Sequence, residues 1–342
     1  MLNNPTRLLF FLTLMLGSLI AVSSTSWLGA WLGLEINLLS FIPLMSNSSN
    51  QFSTESALKY FLTQALASAI LLVSVIFLGL TSNLDLGVSL ENLNLMISST
   101  LLLKMGAAPF HFWFPGVMEG LSWINGLILM TWQKIAPLML ISYTFSLNLF
   151  ATMVILLSVL IGSLGGFNQT SLRKIMAYSS INHLGWMLSA MLLGEVYWVT
   201  YFCFYIFLSV SVVVLFNLYQ LSHINQVFCS SSNNKIIKLG LFCNLLSLGG
   251  LPPFLGFLPK WLIIQGMVSN GLTFIISVMV LMTLITLYFY IRVGYSAFML
   301  THSETKWNYY QAFTPSSTLV NYVLTSISIG GLLLCASVFS IL

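Results

Sequence analysis

The chain has 342 residues, 58% of them hydrophobic and only 5% charged, against roughly 25% charged and about 45–50% apolar in soluble globular chains, so no water-soluble surface can be built from it. Eleven Lys and Arg against seven Asp and Glu give a formal +4, too sparse and scattered for a nucleic-acid footprint. Cys203, Cys229, Cys243 and Cys335 stand far apart with no spacing that suits zinc, haem or an iron–sulfur cluster, and no G-x-G-x-x-G offers a dinucleotide site.

A spanning helix needs about 20 mostly apolar residues, and punctuation by Pro, Gly, Asn, Ser and charge divides the chain into about eleven of them. The spans are roughly 7–24, 26–45, 55–80, 92–114, 121–145, 149–167, 172–193, 196–222, 238–268, 272–299 and 319–341. The fold class expected is an all-α polytopic membrane protein, with residues 1–342 forming one membrane domain and no soluble domain.

In the first helix, Arg7 and the apolar run Leu8 to Val22 could pass for a secretory signal. The pattern continues through Trp27, Leu28, Trp31 and Leu32, so the helix is expected to be retained. No Arg-rich amphipathic import peptide is expected, which fits synthesis inside the organelle or in a bacterium. The second helix carries Glu35 near its middle. The third begins with Glu55 and Lys59 at i,i+4, a spacing that reads as a local snorkelling ion pair. Lys104 lies in the fourth helix and Lys134 in the fifth, three residues before Pro137, with Glu119 an interface anchor at the fifth helix's mouth. The seventh carries Tyr178, Ser179, Ser180, Asn182 and His183, and in the ninth Lys260 follows an interruption. His223 and His302 fall near helix ends or in loops and receive no role. Trp27 with Trp31, Phe110 through Phe114, and Tyr309 with Tyr310 read as interfacial belts.

Charge placement supports eleven helices. With that count Arg7, Arg173, Lys174, Lys235, Lys238 and Lys306 fall on one side, and Asp85 and Glu195 on the other. The positive-inside rule then puts the N-terminus on the matrix or cytoplasmic side and the C-terminus opposite.

Two helices are interrupted in the same way. Gly106-Ala-Ala-Pro109-Phe110 with Pro115 and Gly250-Leu-Pro-Pro253-Phe254 with Pro259 both read G-x-x-P-F-x-x-x-x-P, 144 residues apart. They occupy the fourth and ninth helices, the fourth position in each of two consecutive five-helix units, 7–145 and 149–299, with 319–341 as one further C-terminal helix. An odd helix number per unit makes the repeats inverted. Paired, interrupted helices at corresponding positions mark a transporter-type fold, because unwound backbone is tolerated only beside protein or a water-filled cavity.

Glu35, Lys104, Lys134 and Lys260 each cost roughly 2.5–3.5 kcal/mol at the centre of a spanning helix, so they are expected to face inward. A lysine removed from water surrenders its proton more readily, and a nearby carboxylate restores the charged form, so movement of Glu35 relative to Lys104 would load or unload the lysine. The bland counterpart is a static ion pair that fixes helix register; four sites, three beside a backbone break or a proline, favour a charge path. His183 is either a satisfied core residue or a link in a hydrated proton wire, and His111, inside the first break, stands open in the same way.

These residues carry a resemblance. Trp27-Leu-Gly-Ala-Trp-Leu-Gly-Leu-Glu35-Ile-Asn37, Lys104-Met-Gly-Ala-Ala-Pro-Phe-His-Phe-Trp-Phe-Pro115, Thr131-Trp-Gln-Lys134-Ile-Ala-Pro137, Asn168-Gln-Thr-Ser-Leu-Arg-Lys174, Ser180-Ile-Asn-His-Leu-Gly-Trp186 and Gly249-Gly-Leu-Pro-Pro-Phe-Leu-Gly-Phe-Leu-Pro-Lys-Trp261 together resemble the antiporter-like, proton-translocating subunits of respiratory complex I, mitochondrial NADH:ubiquinone oxidoreductase. The resemblance runs from about Trp27 to Arg292. Within that family the Glu119-Gly and Trp132-Gln-Lys134 elements resemble subunit 2 rather than its two larger sisters, the longest of which adds a lateral helix.

The resemblance implies proton translocation coupled to electron transfer from NADH to ubiquinone. It implies that NADH, FMN, the iron–sulfur clusters and ubiquinone belong to other subunits, with no cofactor on this chain. Glu35 and Lys104 would match the family's glutamate–lysine pair, Lys134 its bridging lysine and Lys260 the lysine of the second broken helix. The implied partners are the small subunit 4L, the antiporter-like subunit 4, accessory subunits and lipids, in the mitochondrial inner membrane. Bacterial relatives have fourteen helices, and this chain is expected to begin at the fourth. A free-standing cation/proton antiporter is the competing reading, although it wants a carboxylate-rich cation site and Glu35 is the one carboxylate placed at depth. A passive scaffold has no use for four buried charges.

Overall fold

The computed structural model describes residues 5–47, 50–84, 90–230, 235–299, 320 and 322–332. It is an all-helical membrane protein; among the described residues the one β feature is an isolated antiparallel bridge between Ser171 and His223. Among the described residues, seven helices are long and apolar enough to cross a membrane by length and composition. The chain divides into two compact units, Met1–Ser158 and Val159–Leu342.

The first unit contains α1 (Pro5–Ser23), α2 (Trp27–Met45), α3 (Gln51–Leu84), α4 (Leu90–Met105), α5 (Trp113–Gly120), α6 (Trp123–Met130), α7 (Trp132–Thr144) and the start of α8 (Leu149–Gly166). α1 and α2 pack backbone to backbone through small residues, as helices do where lipid gives apolar contact no advantage. A β-carbon on Gly33 would lie 2.5 Å from the Ala21 nitrogen, and one on Gly17 2.8 Å from the Asn37 nitrogen. Indole N–H groups tie the other helices together: Trp31 donates to the Ser68 carbonyl at 3.0 Å and Trp132 to the Ser18 hydroxyl at 3.1 Å. Asn125 donates to the Leu44 carbonyl at 2.9 Å, joining α6 to α2. Glu55 and Lys59 form the expected ion pair at 2.6 Å, exposed on α3.

The second unit holds the end of α8, then α9 (Leu172–Met191), α10 (Glu195–Leu218), α11 (Ile224–Ser230), α12 (Lys235–Gly249), α13 (Phe257–Ser269), α14 (Thr273–Met299) and a last helical stretch, Tyr322–Leu332. α9 is its core: sixteen of its twenty residues are buried, which is why it can carry serines, an asparagine and a histidine without meeting lipid. Gly162 lets α8 reach it, since a β-carbon there would lie 2.5 Å from the Asn182 nitrogen. The end of α8 is held by Arg292, whose guanidinium donates to the carbonyls of Phe167 at 2.8 Å and Gln169 at 2.6 Å, a cation at a helix C-terminus.

Both interrupted helices are interrupted as expected, α4 from α5 by residues 106–112 and α12 from α13 by residues 250–256. The fifth predicted span is itself stepped at Thr131, between α6 and α7. Sequence reading also places 225–238 in a loop, whereas the chain forms the short helix α11 there. The Gln226 side-chain oxygen accepts from the amides of Ser222 and His223 at 2.6 and 3.2 Å and so satisfies the start of that turn. Asp85, Lys306, Tyr309, Tyr310 and His302, and both ends of the predicted 319–341 helix, lie outside the described residues.

Gly33→Val drives two methyl groups into the α1 backbone and costs more than the roughly 1–3 kcal/mol of ordinary overpacking. The expected outcome is loss of the folded chain from membranes, read by its abundance after gentle solubilisation; Gly79→Val, on α3 with open space around it, leaves abundance unchanged.

Candidate functional site

α4 ends because Gly106 adopts a φ of 75°, open to glycine at little cost, and because a β-carbon there would meet Phe114 at 3.1 Å. Three of the carbonyls exposed by this ending are answered by protein. Leu103 accepts from the Gly106 amide at 3.1 Å and the Trp113 indole at 3.0 Å, Leu102 from the Ala107 amide at 3.1 Å, and Lys104 from the Gln64 side chain at 3.1 Å. His111 is buried in this break with its Nδ1 3.2 Å from the Pro109 carbonyl.

The first break and the step at Thr131 bring two lysines together. Lys104, on the last turn of α4, and Lys134, on the first turn of α7, are 7% and 1% exposed, and both line one cavity of about 20 Å³. That is room for roughly one water molecule. Its other polar walls are Asn37, Tyr60, Gln64 and Gln133. Gln133 donates to the Asn37 side chain at 2.9 Å and its oxygen lies 3.5 Å from the Tyr60 hydroxyl. Lys134 Nζ also lies 5.2 Å from the centroid of the Phe114 ring, within range of a cation–π attraction. Glu35 acts electrostatically on Lys104 but forms no direct ion pair with it among the described residues. It is half-buried, with Oε2 enclosed and lacking a hydrogen-bond partner. A carboxylate held near a lysine without touching it biases the lysine's charge while leaving the proton free to move.

In the second unit Gly250 ends α12 with a φ of 81°. The Lys260 ammonium folds back from α13 and donates to the Gly249 carbonyl at 2.7 Å. A buried cation thus caps the negative end of an interrupted helix. Its Nζ lies 5.8 Å from the Trp186 ring centroid, and Trp186 is stacked on Tyr201 at 6.4 Å with an interplanar angle of 2°. Tyr201 in turn meets His183: its hydroxyl is 2.8 Å from the imidazole Nδ1. From the other side, the last helical stretch holds the break. Ser328 accepts from the Leu255 amide at 3.3 Å through its carbonyl and donates to the Asn244 side chain through its hydroxyl.

Of the residues singled out from sequence, the structure brings Lys104 and Lys134 to one cavity with Glu35 in electrostatic range. It links Lys260 to His183 through two aromatic rings, and it leaves His111 in its break on a backbone carbonyl. Asn37 and Gln133 were missed; their signal was an amide side chain placed among apolar neighbours, two and one residues from Glu35 and Lys134. Tyr60 and Tyr201 gave no such signal, because a tyrosine at helical spacing reads as core.

Residues 24–286 match the family model described as NADH:quinone oxidoreductase/Mrp antiporter, TM. The chain is 57% identical over 335 residues to the NADH-ubiquinone oxidoreductase chain 2 of Anopheles gambiae, covering 98% of each chain. The chain belongs to the NADH-ubiquinone oxidoreductase chain 2 family. The chain 2 protein of Locusta migratoria is 46% identical over 310 residues, 90% of each. Among solved structures the fold is similar to a chain of the respiratory complex I from Thermus thermophilus, with a TM-score of 0.84 at 24% identity, covering 96% of this chain and 78% of that one. It is also similar to a chain of the Mrp complex from Dietzia, with a TM-score of 0.76 at 18% identity over 84% and 60% of the two chains.

Gly250 and Gly271 offer a matched pair, because their φ values are 81° and 76° but only a β-carbon on Gly250 meets the Lys260 side chain, at 2.9 Å from Cδ. Alanine at either costs on the order of 1–2 kcal/mol in backbone strain. Gly250→Ala is expected to impair proton translocation in reconstituted vesicles while Gly271→Ala does not.

Proposed function

We propose that this chain is a core membrane-arm subunit of respiratory complex I that translocates protons across the mitochondrial inner membrane. The path is Glu35, Lys104, Lys134, His183 and Lys260, with His111 beside it at the first break. The observation that carries the reading is the cavity shared by Lys104 and Lys134, two buried ammonium-bearing side chains facing one water-sized space. Two such groups beside one water can pass a proton between them. Electron transfer from NADH to ubiquinone, with FMN and iron–sulfur clusters, is assigned to other subunits of the complex.

In this reading the eleven predicted spans form two inverted five-helix repeats with broken fourth and ninth helices, plus one C-terminal helix, and the N-terminus faces the matrix. The two positive-φ glycines that end α4 and α12 at matching motif positions support the repeat. The partners proposed are the small subunit 4L, antiporter-like subunit 4, accessory subunits and lipids.

Lys104→Met and Lys134→Met keep a long apolar side chain in place of each ammonium and are expected to abolish proton pumping by the assembled complex in proteoliposomes. Normal pumping by either assembled variant overturns its place in the path. At the level of the complex, the chain should co-migrate after gentle solubilisation with rotenone-sensitive NADH:ubiquinone activity. Purification alone, with cation-dependent proton movement after reconstitution, would make it a free-standing antiporter instead.

A further inference from the structure

Gln64 stands one helical turn after Tyr60 on α3, is 4% exposed, and lines the cavity together with Lys104. Its Nε2 donates to the backbone carbonyl of Lys104 at 3.1 Å, across 40 residues of chain. That carbonyl belongs to the last turn of α4, where amide partners within the helix run out at the positive-φ Gly106. The carbonyl one residue earlier, Leu103, also receives a neutral N–H, from the Trp113 indole. A lysine in the last turn of a helix is itself a ready cap for such carbonyls, and an ammonium is the stronger donor, since charge-assisted hydrogen bonds are roughly twice as strong as neutral ones. The second break shows that alternative realised: the Lys260 ammonium lies on the Gly249 carbonyl at 2.7 Å.

We propose that Gln64 is a positioning residue for Lys104: by occupying the carbonyl that the lysine's own ammonium would otherwise cap, it keeps that ammonium turned to the cavity. This rests on the reading of Lys104 as part of the proton path. An ammonium laid on a buried carbonyl has one resting place, because leaving it strands an unpartnered acceptor. One relieved of that carbonyl is able to exchange a proton with water in the cavity. A carboxamide suits the task, since it donates without titrating and the cap is the same in both charge states of Lys104. A lysine or arginine in its place could cap the same carbonyl but would set a second positive charge beside Lys104, and an aspartate or glutamate would draw the ammonium to itself. Gln64 takes up and gives up no proton.

Gln64→Met removes the donor and keeps a flexible side chain of similar length. In the purified, reconstituted complex, coupled proton translocation should slow by at least about tenfold, the low end of the preference that a charged donor has for a carbonyl left vacant. A high-resolution structure of that variant complex should show Lys104 Nζ within hydrogen-bond distance of the carbonyl Gln64 has left. Gln64→His, which keeps an N–H donor at similar reach, should translocate near the wild-type rate; a role limited to packing predicts the opposite order, because methionine fits an apolar gap better than imidazole does. Wild-type translocation by Gln64→Met overturns the positioning role, and so does a slowed Gln64→Met complex whose Lys104 Nζ still faces the cavity or whose rate Gln64→His does not restore. Wild-type translocation by Lys104→Met is a different failure: it removes the lysine from the path, while the place of Nζ in the Gln64→Met complex still reports whether the cap positions it. Should Gln64→Met not assemble, the wild-type complex during turnover decides. Gln64 Nε2 on the Lys104 carbonyl in every resolved state supports the role, and a state with Lys104 Nζ on that carbonyl overturns it.

Discussion

Where a helix stops inside a protein, its last carbonyls lose their amide partners, and surroundings without water leave the side chains nearby to answer them. Two elements of this fold are arranged around that constraint. At the end of α12 the answer is an ammonium, Lys260 on the Gly249 carbonyl, so that an exposed dipole and a buried cation, each costly alone, neutralise one another. At the end of α4 the answers are neutral, the Trp113 indole and the Gln64 amide. Lys104 is thereby released from capping duty and turned toward the cavity it shares with Lys134.

That difference separates what the two breaks can do. A lysine engaged by a carbonyl in a single good hydrogen bond has a definite resting place. One that lines a water-sized cavity with a second lysine and four uncharged polar groups has alternatives. Gln133 is held by Asn37 and approached by Tyr60, so the cavity wall beside Lys134 is fixed by contacts among uncharged polar side chains.

Much of this was legible from residues alone. Composition fixed the class, and the two G-x-x-P-F motifs marked both interruptions because glycine and proline act locally, through φ and a missing N–H, wherever they stand. The lysines declared themselves by cost. Partnership was harder to read. That Lys260 reaches back to Gly249, that Trp186 and Tyr201 stand between it and His183, and that Glu35 stays out of contact with Lys104 depend on helix rotation and on which side chain fills a gap, and neither leaves a periodic trace. The step at Thr131 was hidden for a related reason: its hydroxyl bonds the Leu127 carbonyl at 2.7 Å, a side-chain-to-backbone contact that no residue pattern announces.

The burial of α9 bears on how such a chain is made. Although it is twenty residues long, it is not among the helices apolar enough to cross a membrane by themselves, since its serines, Asn182 and His183 are tolerable only with α8 and α10 already against them. A helix of that kind gains little by leaving the insertion machinery singly. It has reason to wait at the lateral exit for its neighbours, so the segment with the most polar centre is the one whose entry into the bilayer must be a group event.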